Sequence, residues 1–436
     1  MTKNLCLTDG PGLRHPQMKI VFANRYFSPD QSATSRMVSG LASALARRGF
    51  EVAAIASRTP HDQPDVTLPA EEMVSGVKVS RLWATRFGRS NVLGRAIDYL
   101  TFHVSAFLWC LWNLKSGDVC VVCTDPPLLS VTTSLPIRLR RARMVNWIMD
   151  LFPEVAMELG ILSSKSLSGT ISRSMRNWSM RKSAMIVCPT ARMAAYLAER
   201  GFSEEQVFVM HHWSDGDEIY PVEPASNRLR ASWGLQDKFV VGYSGNFGRA
   251  HDFSTLLEAA VLLSGHDDIQ FLMIGGGQQR SHVEEIVRNR DLKNVVFKPL
   301  QPAEHIAESL SSADAHIVSL LPRLEHCIVP SKFYGILAAG RPTLFIGDPN
   351  GEVARVVAAE DCGAAVEIGE GRKLADFIME MKNSSERRCQ MGQNARRVLE
   401  TLFSRENAEV AWSDVMLRFD RQTGFPSGSS VYEPAE

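Results

Sequence analysis

Short apolar runs alternate with amphipathic stretches along this 436-residue chain twice over, with one interruption between the two series. The first series opens on an apolar strand at 19–23, then the polar loop SPDQSATSR. A helix follows at 37–48, with Val38, Leu41 and Leu45 on one side and Gly49 as its stop. Further strands are expected at 52–56, 119–123, 144–148, 185–188 and 207–210. The segment WSDGDEIYPVEP, 213–224, is rich in turn formers and breaks the rhythm. Strands then resume at 239–243, 270–274, 295–298, 315–320 and 343–346, with helices near 254–263, 282–290, 302–311, 331–339 and 352–359. Strands alternating with helices predict parallel α/β topology. The length fits two domains of about 200 residues each. The expected division is an N-terminal domain 18–213, a linker 214–237, a C-terminal domain 238–403 and a closing helix 404–421. Residues 1–17 and 422–436 read as disordered extensions. Two doubly wound Rossmann-like domains facing across a cleft would hold a ligand at the carboxyl ends of their strands. The closing helix, with Val410, Trp412, Val415 and Leu417, is expected to cross back to the first domain.

The formal net charge of zero conceals an asymmetry. Residues 1–213 hold 25 Lys plus Arg against 16 Asp plus Glu, a balance of 25 − 16 = +9. The remainder holds 48 − 25 = 23 against 48 − 16 = 32, or −9. A basic first half suits an anionic surface. Eight cysteines without framework spacing point to a reducing compartment. Cys120 and Cys123 lie in an apolar strand, where residues three apart face opposite sides and cannot jointly grip a metal.

Three loops carry chemistry. The strand at 239–243 runs into Ser244-Gly245-Asn246-Phe247-Gly248-Arg249, with a helix from about residue 252. Glycine lets backbone amides approach a phosphate, a helix start adds a positive dipole end, and Arg249 adds a cationic fork suited to a diphosphate. Gly275-Gly276-Gly277 also follows a strand and reads equally well as a tight turn. In Val329-Pro330-Ser331-Lys332, Ser331 suits a helix N-cap and Lys332 its first turn. The dipole disfavours a lysine there, which suggests that an anion docks beside it. In Gly351-Glu352-Val353, Glu352 either accepts from ribose hydroxyls or complements the helix dipole.

YSGNFGRAHDFSTLLEAA, FLMIGGG, NVVFKPLQP, SSADAHIVSL, VPSKFYGILAAGRP and GEVARVV, in that order, resemble glycosyltransferase family four. The likeness is strongest to the bacterial enzymes of O-antigen, capsule and colanic-acid assembly. YFSPDQSATSRMVSGLASALARRGFEV and MVNWIMDLFPEVAMELG extend it over residues 18–420. The resemblance implies the GT-B fold, a retaining mechanism, and no cofactor or bound metal beside a nucleotide-diphosphate sugar. It implies that Arg249 and Lys332 hold the donor diphosphate, that Asn246 and Gly248 shape the loop, and that Glu352 lies near nucleotide or sugar. It places Asp150 beside the donor sugar. The chain departs from the family at Cys327 and Gly335, where many relatives carry a pair of glutamates, and at Ser32-Ala33-Thr34, where a glycine pair is common.

Other motifs carry less. Asp215-Gly216-Asp217 matches the DxD of metal-dependent transferases but lies in the linker, where a solvated turn is expected. His211-His212 and His326-Cys327 are adjacent pairs, a poor spacing for one metal. The apolar segment 104–114 is about half of the roughly 20 residues that a span needs. It reads as a buried or an interfacial helix. Residues 78–95 hold five basic residues and no acid, and 138–143 hold four more. These clusters and the aromatic segment are expected to form one side that faces an anionic membrane. The expected protein is therefore a cytoplasmic hexosyltransferase, peripheral on the inner face of the plasma membrane. Its partners would be a nucleotide-sugar donor and a polyprenyl-diphosphate-linked acceptor, without nucleic acid. Its rivals are a nucleotide-sugar 2-epimerase and a non-catalytic sugar-nucleotide-binding protein.

Overall fold

The computed structural model describes residues 18–421 apart from 62, 64 and 89–91. The expected extensions at 1–17 and 422–436 lie outside the described residues, as does Arg89 of the first basic cluster. Fourteen described strands form two sheets. The first holds β1 (Lys19–Ala23), β2 (Glu51–Ser57), β3 (Glu71–Val74), β4 (Val77–Leu82), β5 (Val119–Cys123), β6 (Arg143–Trp147), β7 (Met185–Cys188) and β8 (Val207–Val209). Their order is β3-β4-β2-β1-β5-β6-β7-β8. The second holds β9 (Phe239–Ser244), β10 (Ile269–Ile274), β11 (Val295–Lys298), β12 (Ala315–Ser319), β13 (Thr343–Ile346) and β14 (Gly363–Val366), in the order β11-β10-β9-β12-β13-β14. Both orders reverse once, at β1/β5 and at β9/β12, as in a doubly wound fold.

Continuous apolar runs such as VCVVC in β5 are buried on both faces, as parallel strands between helices must be. That burial accounts for the CxxC as strand core. The sequence reading missed the β3–β4 hairpin, which pairs antiparallel across Ser75-Gly76. A two-residue turn flanked by alternating residues was its signal.

Within the described residues, one compact unit takes in 18–147, 175–186 and 412–421, and the other takes in 148–174 and 187–411. In the first, Phe102, Ala106 and Cys110 of the helix Val92–Asn113 pack on Val21, Ile55 and Val122. All of the run at 104–114 but Leu114 belongs to this helix, whose outward side exposes Leu100, Val104 and Trp112. Among the described residues no helix is long and apolar enough to cross a membrane. The closing helix, Arg405–Arg421, places Trp412 with its ring 4.8 Å from that of Trp147. Part of the expected linker is helical. Asn227 caps the short helix Arg228–Ser232, whose Arg230 meets Asp314 at 3.0 Å.

Candidate active site

In the second sheet the strand order reverses between β9 and β12, so the loops after these two strands flank the natural ligand position. They are stitched together. His251 Nδ1 donates to the Ser319 carbonyl at 2.5 Å, and the Asp252 amide donates to Ser319 Oγ at 2.7 Å.

Lys332 is the centre of the arrangement. Its Nζ donates to Tyr243 Oη at 2.6 Å and stands 3.9 Å from the centre of that ring. The Tyr243 hydroxyl in turn donates to the Asn246 carbonyl at 2.7 Å. A Cβ at Gly245 would lie 3.6 Å from Lys332 Nζ, so the glycine loop and the ammonium share one space. Burial pushes the Lys332 ammonium down to about 7, although the residue as a whole is only half-buried. Burial and the nearby Lys332 charge push His251 down to about 3. With Nδ1 donating, that neutral ring keeps Nε2 as an acceptor.

The expected residues divide between those the structure gathers here and those it uses elsewhere. Gly245, Gly248 and Lys332 share the group with Tyr243 and His251; a Cβ at Gly248 would lie 3.9 Å from the His251 ring. Asn246 and Arg249 are exposed on the same loop. The Arg249 side chain has no hydrogen-bond or ion-pair partner among the described residues. The helix start after this loop is not open to an anion, contrary to expectation. The helix Ser254–Leu262 is capped by Asp252, whose Oδ1 accepts from the Thr255 amide at 3.0 Å. A carboxylate already fills that dipole end.

Gly275-Gly276-Gly277 packs against the Gly245 loop. A Cβ at Gly275 would fall 2.0 Å from the Gly245 carbonyl oxygen. The Gly245 amide donates to Ile274 and the Phe247 amide to Gly276, so both are spent on this turn. Ser331 is also a correction. Its backbone is αR (φ −56, ψ −21), it is exposed, and its side chain caps nothing; the Phe333 amide turns back to Pro330 instead. The helix Lys332–Ala338 has only seven residues, so the ammonium outweighs any dipole in the local field.

The segment 322–332 is the common wall of the site. The Leu151 amide donates to the Cys327 carbonyl at 2.8 Å, which brings the exposed Asp150 beside it. At its other face Glu325 Oε2 accepts from the Glu352 amide at 3.2 Å, and a Cβ at Gly351 would lie 2.3 Å from Glu325 Oε1. Glu352 is buried, with Arg355 donating to Oε2 at 2.9 Å and His211 Nδ1 standing 3.7 Å from Oε1. Val353 is core. Burial raises Glu325 to about 7 against the opposing pull of the Glu352 amide and Arg192. Arg192 pairs with Asp348 at 2.9 Å. The small cavity beside His211, His212 and Phe403 holds about 20 Å³, room for one water and no substrate.

Residues 32–213 match the family described as Glycosyl transferase 4-like domain, and residues 226–398 match Glycosyl transferases group 1. The chain is a glycosyltransferase built from these two domains. Its GT-B architecture is that of sucrose-phosphate synthase from Thermosynechococcus elongatus, with a TM-score of 0.73 at 18% identity over 93% of this chain and all of that one. Anabaena HepE, solved with UDP-glucose, aligns with a TM-score of 0.68 at 14% identity over 92% of this chain and 99% of that one. Among curated proteins, Escherichia coli K12 WcaI, named as a colanic acid biosynthesis glycosyl transferase, is 24% identical over 74% of this chain and 82% of its own length.

For this glycosyltransferase the sequence reading missed Tyr243, His251 and Glu325. Tyr243 read as one more apolar strand residue. His251 had a signal, a polar residue at the end of a glycine loop. The acid of Leu324-Glu325-His326 had none, because only the fold turns it onto Gly351. Among the described residues no group of three His, Cys, Asp or Glu side chains gathers as a metal site. The DxD serves a turn: Asp215 accepts from the Asp217 amide at 3.0 Å and from Arg405 at 2.7 Å. Burial raises its pKa, but those hydrogen bonds prevail and hold it below the usual range.

Proposed function

We propose that the enzyme moves a hexose-type sugar from a nucleoside-diphosphate donor to a lipid-linked saccharide during cell-envelope polysaccharide assembly, with retention of the anomeric configuration. The observation that carries this reading is the Lys332 ammonium beneath Tyr243, beside Gly245, at the strand-order reversal. A diphosphate seated there gains a close cation in a water-poor setting, where charge acts strongly. Arg249, unfastened on the same loop, folds onto the diphosphate as its fork demands. The bond from the sugar's anomeric carbon to the diphosphate oxygen breaks, and a bond to the acceptor oxygen forms. The acceptor's hydroxyl proton leaves with the nucleoside diphosphate. Lys332 and Arg249 stabilise the charge that gathers on that leaving group. Asp150, beside Cys327, is the residue we assign to the donor sugar. No metal is required, because the two cations supply the neutralising charge.

The polysaccharide context comes from the relative named for colanic acid biosynthesis, and the sugar-nucleotide class from the neighbour solved with UDP-glucose. Surface chemistry supports the acceptor side of this reading. The helix Val92–Asn113 turns Leu100, Val104 and Trp112 outward in a unit whose exposed cations include Arg86, Arg138 and Arg140. Apolar side chains flanked by cations suit the inner face of an anionic bilayer, where a polyprenyl-diphosphate acceptor resides. The test is incubation with UDP- and GDP-sugars and a polyprenyl-diphosphate saccharide, with the product's anomeric proton read by NMR. Transfer with retention is expected. Donor conversion to an epimer without acceptor, or donor binding without transfer to any acceptor, would overturn the reading.

A further inference from the structure

The helix Leu167–Arg181 carries an apolar stripe on its exposed side. Leu167, Ile171, Met175 and Trp178 recur at spacings of four, four and three and form one stripe, as a helix requires. All four point outward, with Leu167 76% exposed. The opposite, buried side carries Gly169, Arg176, Ser179 and Met180, only one of them a large apolar residue. Apolar stripes normally face the core, so this surface awaits a cover. Between Glu158 and Glu199 the sequence has six basic residues and no acid. Ser179 Oγ meets Ser130 Oγ at 2.9 Å, which sets the helix beside Leu129–Leu139 with its outward Leu135 and Leu139.

At the end of these two helices lies an open basin of about 490 Å³. Arg138, Arg141, Arg143, Arg181 and Lys182 line it, and no acid does. Arg143 is engaged with the Phe419 carbonyl at 2.7 Å. The side chains of Arg138, Arg141 and Lys182 have no hydrogen-bond or ion-pair partner among the described residues. Arg141 holds a left-handed backbone (φ 56), a position where helices usually end on glycine. Met144 and Ala184 set the basin at the amino ends of β6 and β7, the opposite end from the loops of a doubly wound site.

We propose that this basin binds the phosphate of an anionic phospholipid while the stripe of helix 167–181, with Leu135 and Leu139, lies in the interfacial layer of the bilayer. The inference deepens the membrane reading given above and rests on it. Guanidinium forks match phosphate geometry, and a bilayer is the one anionic partner that also covers an apolar stripe. A second copy of the chain packed here about a two-fold axis would bring like patches, and therefore like charges, together.

The full chain is sedimented with phosphatidylcholine vesicles, with and without phosphatidylglycerol. Wild type is expected to bind only the anionic vesicles. The triple variant Arg138→Ala, Arg141→Gly, Lys182→Ala is expected to lose about a hundredfold in affinity, at about 1 kcal/mol per cation. Ile171→Glu with Trp178→Glu is expected to abolish binding, and donor hydrolysis should be unchanged in both variants. If Trp112→Glu alone abolishes binding and both sets of variants bind as wild type does, the membrane reading stands and this inference fails. Absence of wild-type binding sinks both. Inorganic phosphate titrating the basin without any effect of the triple variant on vesicles would mark a free-anion site and overturn the proposal. A dimer that the stripe variant splits, with vesicle binding unchanged, would name a second copy as the cover and overturn it as well.

Discussion

Around Lys332 the second unit encloses charge and ties it down, whereas along helices Val92–Asn113 and Leu167–Arg181 the chain exposes apolar side chains, with Arg138, Arg141 and Lys182 near them and without side-chain partners among the described residues. Both depart from the rule that charge stays in water and apolar groups leave it. The departures run in opposite directions. An enclosed ammonium held by one neutral hydroxyl is short of negative charge, which fits a small polyanion. An uncovered apolar stripe is short of area, which fits a surface. On the proposed reading, the site takes a ligand and the face a sheet of lipid.

The largest effect expected at the first region is from Lys332→Met. Loss of an enclosed cation aimed at a leaving diphosphate should lower kcat/KM by about 2–4 kcal/mol with the fold intact. Near-wild-type turnover would leave that region without its special character. Arg249→Ala should lower kcat/KM less, by about 1.5–3 kcal/mol, since it removes a charged contact that is not held in place beforehand. An effect larger than that of Lys332→Met would make the exposed loop the true anchor.

Glu325 sharpens the comparison through stability. Burial raises its carboxyl from 4.5 to about 7, so the folded state binds the extra proton between these values. Stability should therefore fall as pH rises through that window, and the loss should be complete above about 7. Melting temperatures taken from pH 5 to 8 should show this slope in wild type and a flatter one in Glu325→Gln. Equal slopes would make Glu325 an ordinary solvated acid. The smallest effect expected is none: EDTA should leave transfer unchanged, and restoration by Mn²⁺ or Mg²⁺ after loss would replace the two cations with a metal.

How far the sequence could be read follows the same division. The two alternating series, the break near 213 and the separate loops at Gly245 and Lys332 were legible, because strand runs and loop chemistry are local, but only the fold sets those two loops side by side. Lys332 was found through a dipole argument, yet what distinguishes it is Tyr243, which only the sheet brings within 2.6 Å. Ser331 and the helix start at 254 misled, since a cap depends on backbone angles and on which neighbour arrives first; Asp252 took that place. The stripe on helix 167–181 shows the deepest limit. Periodicity reveals that Leu167, Ile171, Met175 and Trp178 share a face, but it does not say whether that face looks in or out.

The most direct test of the central claim, that the donor's diphosphate sits on Lys332, is a calorimetric titration with UDP and GDP at about pH 8.5. That pH lies between the folded value of about 7 and the unfolded value of 10.5. Free Lys332 is then mostly neutral, and a bound diphosphate must restore its charge. Run in two buffers of different ionisation enthalpy, wild type should take up close to one proton with the tighter nucleotide. Lys332→Met should take up none and bind more weakly. Equal affinity in both proteins, with no proton uptake in either, would contradict the account.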